Sequence, residues 1–415
     1  MQAQVISTVV FTSSLLLTTS VGSQEPSAFS KYTLSEILTL ALERNPRITE
    51  AEATVAEQQG ERVAARAYPN PSVDGLGGRG TPRGANDRPP GAEYSLALRQ
   101  PLEWPGKRAA RIQAADQAVT AARTGIEEAH LDLRSEVKIA FYQLVLATQD
   151  AKLAAENLTA LEDMARAINR RVAAGEGARF EAVKAEVEVL KGRKEVERTR
   201  AAVEVARASL NALTAGGLGD HFDIVGDFER PPKALDQSVL IVRVEQHPTL
   251  KRQAQVLGRF QQRVIQERQA RIPDISLQGA YTQEFDRQAY AFGLAVPLPI
   301  WSQRQGEIAA ALGAQRRAEA DLLRTRTELL KSLIQHYQET QSATNQLEVF
   351  EKGLLQQAQE ALRMAQFSFR QGATTLLELL DAQRVYRQTL QEYAQARFNL
   401  SVAVARLERA VGELP

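Results

Sequence analysis

The chain of 415 residues carries 51 basic and 50 acidic side chains, a formal net charge of +1. That balance argues against a nucleic-acid partner, whose footprint is a basic excess or patch. Cysteine is absent and the four histidines (His130, His221, His247, His336) are scattered, so disulfides, thiolate chemistry and Cys-type zinc sites are excluded and a His-based metal site is not expected. Apolar content is 44% with only 6% aromatics, which suits long helices packed through Ala, Leu and Val, and no apolar run reaches the roughly 18 residues of a transmembrane helix.

Residues 1–23 read as a secretory signal: Val5 to Val21 is apolar and hydroxyl-rich, and a polar Gly22-Ser23-Gln24-Glu25-Pro26 follows. No Lys or Arg precedes Lys31, so a disordered tail is the alternative. A first unit spans 24–214. Thr33 to Ala67 is predicted as one helix, with Thr33 as N-cap, Glu36 completing a capping box, and Pro69 and Pro71 as the stop. A strand pair is placed at 72–101, where Tyr94, Leu96 and Leu98 alternate with Ser95, Ala97 and Arg99; Val73 to Gly80 alternates poorly. A long helix over 106–174 carries an apolar stripe through Val119, Ala122, Ile126, Ala129, Leu133, Val137, Ala140, Leu144 and Ala147, in steps of three and four. Gly175-Glu176-Gly177 breaks it, and a return helix covers 178–213. A linker at 215–233 follows.

The chain then repeats itself. Asn45-Pro46 recurs as His247-Pro248, Tyr68-Pro69-Asn70-Pro71 as Arg271-Ile272-Pro273-Asp274, and Pro101-Leu102 with Trp104 as Pro297-Leu298 with Trp301. Phe141-Tyr142-Gln143 recurs as His336-Tyr337-Gln338, and Gly175, Glu181 and Ala185 as Gly372, Glu378 and Ala382. Five matches in one order mark a duplication. The second unit, 234–415, therefore has a helix, a strand pair at 274–297, a long helix at 304–371 and a return helix at 375–411. Leu379, Tyr386, Leu390, Tyr393, Leu400, Val404, Leu407 and Val411 form the seam of the return helix, with Gln383 and Arg397 as polar intruders. At about 1.5 Å per residue each long helix reaches roughly 100 Å and each short one roughly 53 Å, so two short helices end to end match one long one.

Ile275, Leu277, Gly279 and Tyr281 alternate with Ser276, Gln278, Ala280 and Thr282, and Tyr290, Phe292, Leu294 and Val296 with Ala291, Gly293 and Ala295. Such segments are near the 9 to 11 residues of a tilted membrane strand, and are also ordinary half-buried strands. Four strands cannot close a barrel, and an open edge is not tolerated in lipid. Either the sheet is soluble and covered, or several chains share one barrel. Trp104 and Trp301 close equivalent strands, as belt aromatics at a membrane boundary or as packing residues.

The run Gln100-Pro101-Leu102-Glu103-Trp104-Pro105-Gly106-Lys107-Arg108, with Pro69-Asn70-Pro71 and Arg171-Val172-Ala173-Ala174-Gly175, resembles the TolC-type outer-membrane efflux channels, and most the heavy-metal (CzcC-like) branch. The resemblance covers residues 33–412. It implies a mainly α fold with a small β part: duplicated long hairpins building a trimeric α-barrel tunnel, and four strands per chain in a shared 12-stranded transmembrane barrel. An equatorial region of mixed structure would lie around 215–233 and the termini. It implies an outer-membrane location with a large periplasmic part, a homotrimer, outer-membrane lipid, a periplasmic adaptor (membrane fusion) protein and an inner-membrane RND-type pump as partners, and passive exit of substrates, heavy-metal cations first. Drug efflux or type I secretion on the same fold is the alternative, and a periplasmic helical adaptor or scaffold is one of another class.

No cofactor, resident metal, catalytic residue or nucleic-acid partner is expected. Lys107 follows a Pro-Leu strand end and lacks the upstream Gly of a phosphate loop, so Gly106-Lys107-Arg108 is read as a helix start with basic residues near lipid headgroups. The reversals at Gly175 and Gly372 are the expected adaptor-contacting tips, flanked by Arg171, Ala178, Arg370 and Thr374. Glu181, Glu378 and Asp381 are gate candidates near those tips, where acidic rings would favour cations; an ordinary solvated role for each is the alternative.

Overall fold

A computed structural model describes residues 30–81, 91–229, 236–284 and 287–412. The expected signal at 1–23 and the end of the linker fall outside the described residues. Among them the elements run β1 (Ser30–Thr33), α1 (Leu34–Arg44), α2 (Pro46–Arg66), β2 (Ser72–Gly80), β3 (Gly91–Leu102), α3 (Pro105–Ala173), α4 (Arg179–Leu213) and β4 (Phe222–Val225). The second unit adds α5 (Gln237–Val244), α6 (Pro248–Gln269), β5 (Ile275–Glu284), β6 (Arg287–Ala295), α7 (Gln305–Val349), a π-helical turn (Phe350–Leu354), α8 (Leu355–Arg370) and α9 (Leu376–Val411).

The first helix expected over Thr33–Ala67 is two. Thr33 and Glu36 do form the capping box of α1, but Pro46 lacks the N–H that a continuing helix needs, and the residue before a proline is driven out of the α region. Asn45 is therefore extended (φ −68°, ψ 127°). Its Oδ1 accepts the Arg47 N–H at 2.9 Å, capping α2, and its Nδ2 donates to the Leu213 carbonyl at 2.8 Å, tying α2 to the end of α4. The second unit solves the same break with histidine. The His247 Nδ1 accepts the Thr249 N–H at 3.2 Å, and Nε2 lies 2.9 Å from the Arg409 carbonyl near the end of α9.

The long helix expected over 304–371 is also interrupted, and the repeat explains where. Val137 and Ala147, both buried, correspond to the buried Leu333 and Ala343 at a spacing of 196 residues, which sets Tyr337 against Phe141 and corrects the pairing of Tyr142 with Tyr337 by one residue. Below them, Gly175 and Gly372, Ala206 and Ala403, and Leu210 and Leu407 correspond at 197. One extra residue thus enters the second unit between Ala343 and Gly372. A π-turn is how a helix takes in one residue without rotating the faces beyond it. It sits at Phe350–Leu354, with Gly353 leaving helical geometry (φ 160°, ψ −25°). Helix α3, lacking the insertion, runs unbroken for 69 residues, about 100 Å.

The predicted stripe of α3 is its core face: Val119, Leu133, Val137, Leu144 and Ala147 are buried. Ala121, Thr124, Ser135, Tyr142, Val145 and Leu146 are buried too, because α3 packs against α2, α4, α6 and α9 and so has partners on two flanks. The polar intruders in the α9 seam are satisfied: Gln383 donates to Asn157 at 3.2 Å and Arg397 to Asp227 at 2.6 Å. At mid-height, β1 pairs in parallel with β4 from the linker. Phe222, Ile37, Leu133, Val137, Phe141 and Leu210 close a core there, giving the mixed equatorial region that the resemblance implied.

The four longer strands form one sheet in the order β2-β3-β5-β6, antiparallel throughout. β2 belongs to it despite its weak alternation, paired along its whole length with β3. The sheet stays open, with β2 and β6 as its edges.

Candidate functional site

The helices form one layer four elements wide. At the sheet end the main contacts run α2 to α3, α3 to α6 and α6 to α7; towards the tips they run α4 to α3, α3 to α9 and α9 to α8. One flank of the chain is therefore made of β2, α2 and α4, and the other of β6, α7 and α8. Among the described residues neither flank has a further element against it. Apolar side chains stand exposed along them: Phe180, Val183, Val187 and Leu190 on α4, and Met364 and Phe367 on α8.

The sheet has two unlike faces, fixed by strand pairing. Val73, Leu98, Gly279 and Phe292 lie in one row across the sheet, and Gly75, Leu96, Tyr281 and Tyr290 in the next. Phe292 is 90% exposed. Tyr281 packs on Tyr94 and Tyr290 at ring distances of 6.0 and 5.1 Å, and the ring of Phe292 covers Gly279. The rows between carry Asp74, Ser95, Arg99, Gln278, Thr282, Ala291 and Gly293, with Leu76 the one large apolar exception. One broad apolar face and one small or polar face on an open-edged sheet is the pattern of a barrel wall between lipid and water.

Below the sheet, the basic residues after Trp104, expected near lipid headgroups, have partners within the chain. Lys107 donates to Asp274 at 2.7 Å, and the Trp104 N–H to the other oxygen of Asp274 at 3.0 Å. Burial pushes the Asp274 carboxyl up, but these hydrogen bonds and the Lys107 charge hold it below the usual carboxylate range. Arg111 forks onto Glu103, whose side chain is buried, and donates to the Ala65 carbonyl at 2.9 Å. Arg108 donates to the Arg66 carbonyl and lies 4.2 Å from the Tyr68 ring centre. This network joins α2, α3 and the start of β5. The motif was visible in the sequence; its partners, some 40 and 170 residues away, were not. Trp104 is half-exposed and donates through Nε1 to Gln269 at 3.1 Å, whereas Trp301 stands 89% exposed in the bend after β6.

Both tips close by the same hydrogen bonds. The Gly175 N–H binds the Val172 carbonyl at 3.1 Å and the Glu176 N–H the Arg171 carbonyl at 2.9 Å; Gly372 and Ala373 repeat this on Phe369 and Ser368. This reversal needs a left-handed residue at its hinge, and the glycines supply φ of 79° and 71°. The tips touch: Arg171 lies 5.7 Å from the Phe369 ring centre, and Leu376 joins Leu161, Ile168 and Ala185 in one buried cluster. Arg370 turns back onto the Gln366 carbonyl at 3.3 Å, and Ala178 caps α4 without a side-chain bond. Phe180 and Leu377, equivalent by repeat and 74% and 61% exposed, escaped the sequence reading. The spacing that related the two glycines would have found them.

The gate candidates have local partners. Glu378 accepts from Thr374, from the Thr375 N–H at 3.0 Å, and completes the capping box of α9. The hydrogen bond from Thr374, then that from the Thr375 amide, hold its carboxyl below the usual range. Asp381 pairs with Arg384 at 2.5 Å. Glu181 is half-buried in the first turn of α4, where the N-cap Ala178 gives it no capping box. Asp381 also lines a groove of about 520 Å³ between α4 and α9 over α3, with Lys184, Lys191, Lys194, Arg384 and Arg387 against Glu188 and Glu195.

A single layer of helices, open along both flanks and ending in an amphipathic four-stranded sheet, fits one segment of a channel wall. Its residues 37–216 and 243–413 match the family described as outer membrane efflux protein, and the chain belongs to that family. It is 27% identical over 383 residues to the cobalt-zinc-cadmium resistance protein CzcC of Cupriavidus metallidurans, covering 92% of this chain and 90% of that one. It is 27% identical over 295 residues to the nickel and cobalt resistance protein CnrC of the same organism, covering 70% of this chain and 69% of that one. Among solved structures, CusC superposes with a TM-score of 0.80 at 19% identity, covering 94% of this chain and 96% of that one. VceC of Vibrio cholerae gives 0.77 at 17%, covering 92% and 96%. The chain is thus an outer-membrane efflux channel component with a long helical tunnel wall, and the scaffold alternative falls away.

Proposed function

We propose that three copies close into one duct, a shared 12-stranded barrel in the outer membrane above a periplasmic α-helical tunnel, which carries heavy-metal cations out of the cell. The observation that carries this reading is the open sheet with one apolar face and two unpaired edges, continuous with a helical layer that is also open on both flanks. Its backbone edges need partners before the sheet can stand in lipid. Metal cations as substrate are supported by the relatives, whose names record resistance to cobalt, zinc, cadmium and nickel.

The duct is passive and takes its substrate from an RND-type pump through an adaptor. The adaptor meets the tips around Gly175 and Gly372, at Arg171, Ala178, Arg370 and Thr374, with Phe180 and Leu377 as apolar contacts. Glu181, Glu378 and Asp381 lie at the narrow end as gate residues, and Trp104 and Trp301 mark the lower membrane boundary. Deleting the gene in its host and measuring growth on zinc, cobalt, cadmium and nickel salts tests the reading. Lowered metal tolerance, restored by the gene, is expected. Unchanged metal tolerance with drug hypersensitivity would replace it with drug efflux.

A further inference from the structure

The duplication reaches beyond one chain. Helices α2 and α6 correspond at the spacing that separates Asn45 from His247, 202 residues, and α3 and α7 at the 196 that separates Val137 from Leu333. Within the chain α3 has a neighbour on each flank, α2 and α6, whereas the described partners of α7, α6 at the sheet end with α9 and α5 below it, leave its other flank open. In a closed ring of copies the open flank of α7 takes α2 of the next copy, so the seam between copies is the repeat image of the α3–α6 seam. Resting on the closed assembly proposed above, we infer that the copies are joined by a charge-inverted version of that internal seam, with Glu50 of one chain on Arg324 of its neighbour.

The internal seam supplies the template. Arg252 binds Glu128 at 2.6 Å and the Thr249 hydroxyl reaches the same carboxylate at 2.8 Å. The position equivalent to Arg252 is Glu50, and the one equivalent to Glu128 is Arg324. Both charges are reversed together, so attraction is kept. Arg259 and Ala121 line one groove over α3 between α2 and α6, which Glu50 also lines; their equivalents are Glu57 and Arg317, opposite in sign. Glu50, Glu57, Arg317 and Arg324 are all exposed, and neither glutamate side chain has an ion-pair partner among the described residues; Arg324 reaches Asp321 and Glu328 on its own helix, each at 3.2 Å.

Packing agrees with charge. Thr124 bonds Gln255 at 3.0 Å, and Gln117 lies over Gly258. Their equivalents are Ala320 facing Ala53, and Gly313 facing Ala56, all four exposed. Small side chains on both sides let the two backbones approach closely. The inversion also selects partners. A second chain offered in the wrong order, α2 against α2 or α7 against α7, sets like charges face to face, which disfavours that pairing. Continuity supports the same edge, because α2 leads into β2 and α7 follows β6, the two strands at the edges of the sheet.

The native chain has no cysteine, so a double variant Glu50→Cys with Arg324→Cys reports the seam without background. The purified protein in detergent is sized first, then treated with a short bis-maleimide and run on a denaturing gel. The expected result is an oligomer that yields covalent dimer and trimer bands, absent from each single variant. An oligomer without those bands would overturn the seam and leave the assembly standing; a monomer before cross-linking would overturn both. Reversing Glu50→Arg with Glu57→Arg is expected to remove most heat-resistant oligomer, and adding Arg317→Glu with Arg324→Glu to restore it. Oligomer equally abundant in all three proteins would also overturn the pairing.

Discussion

Replacing His247 by Asn isolates a titrating joint at the equator of the wall. The His247 ring is 4% exposed and acts at both ends: Nδ1 accepts the amide that caps α6, and Nε2–H donates to the Arg409 carbonyl near the end of α9. Only the neutral ring can do both, since the imidazolium has no acceptor. Burial lowers its pKa below 6.5; the Arg409 carbonyl, Glu128 and Asp132 oppose this, the Arg409 charge assists, and burial prevails. The unfolded chain therefore binds the extra proton first. Stability is full above about pH 6.5 and falls as the pH drops towards the folded-state pKa, by up to about 1.4 kcal/mol per pH unit. For a chain of this length that is about 1–2 °C in Tm per kcal/mol. Asn45 shows that an asparagine can cap the equivalent helix and bind the returning helix end without titrating. His247→Asn is thus expected to lose some ring packing yet flatten the pH profile between 7.5 and 5, read as Tm in detergent and as hydrogen exchange of the Thr249 amide. Parallel profiles for the native and Asn proteins would refute the argument.

Four further outcomes are open to measurement. Asp274→Ala removes the acceptor for Lys107 and Trp104; after discounting for partial exposure it is expected to cost about 1–2 kcal/mol, read by denaturant unfolding, with protease cuts appearing near residue 105. Gly372→Ala places a Cβ at φ 71° and is expected to destabilise the second tip by about 1–2 kcal/mol, seen as faster exchange at Gln371–Thr374 while the equator is unchanged. Deleting Glu351 returns the second unit to the register of the first, and is expected to close the π-turn while keeping the oligomer; deleting Thr148 from the unbroken α3 should abolish assembly. Glu378→Ala with Asp381→Ala is expected to raise single-channel conductance and reduce cation preference in a planar bilayer, and unchanged values would remove both from the gate.

Most of the architecture was legible because the chain is written twice, so each weak signal had a second copy. The first long helix and both return helices begin and end within a residue or two of where period and glycine placed them, while the second long helix carries the π-turn that its period did not show. The misses at the two prolines and in the basic run share one cause. Asn45-Pro46 and His247-Pro248 were noticed as landmarks but not as stops, since nothing local shows that the residue before the proline will be held by a carbonyl some 160 residues away. Lys107 and Arg108 read as basic residues near lipid headgroups, and their partners Asp274 and Arg66 come together only in the folded chain. The acidic residues near the tips posed the same difficulty, as a carboxylate in the first turn serves equally as a cap or as a lining charge, and Glu378 caps.

The spacing between equivalent residues carries information that no single motif does. It changes from 202 to 196 between α2 and α3, across the strand pairs and their connections, where added residues cost little because loops tolerate length. It changes from 196 to 197 inside a helix, where one residue would rotate every later side chain by about 100°. The extra residue is tolerated because the π-turn holds it and returns α8 to phase, leaving Leu376 in the cluster it shares with Leu161. The two hairpins are therefore equivalent at the equator and at the glycine tips but not between them: α3 descends as one rigid rod, and the α7–α8 descent has a widened turn at Gly353. Because α8 has its main packing on α9 alone, a difference of one residue decides which of the two hairpins is the more compliant.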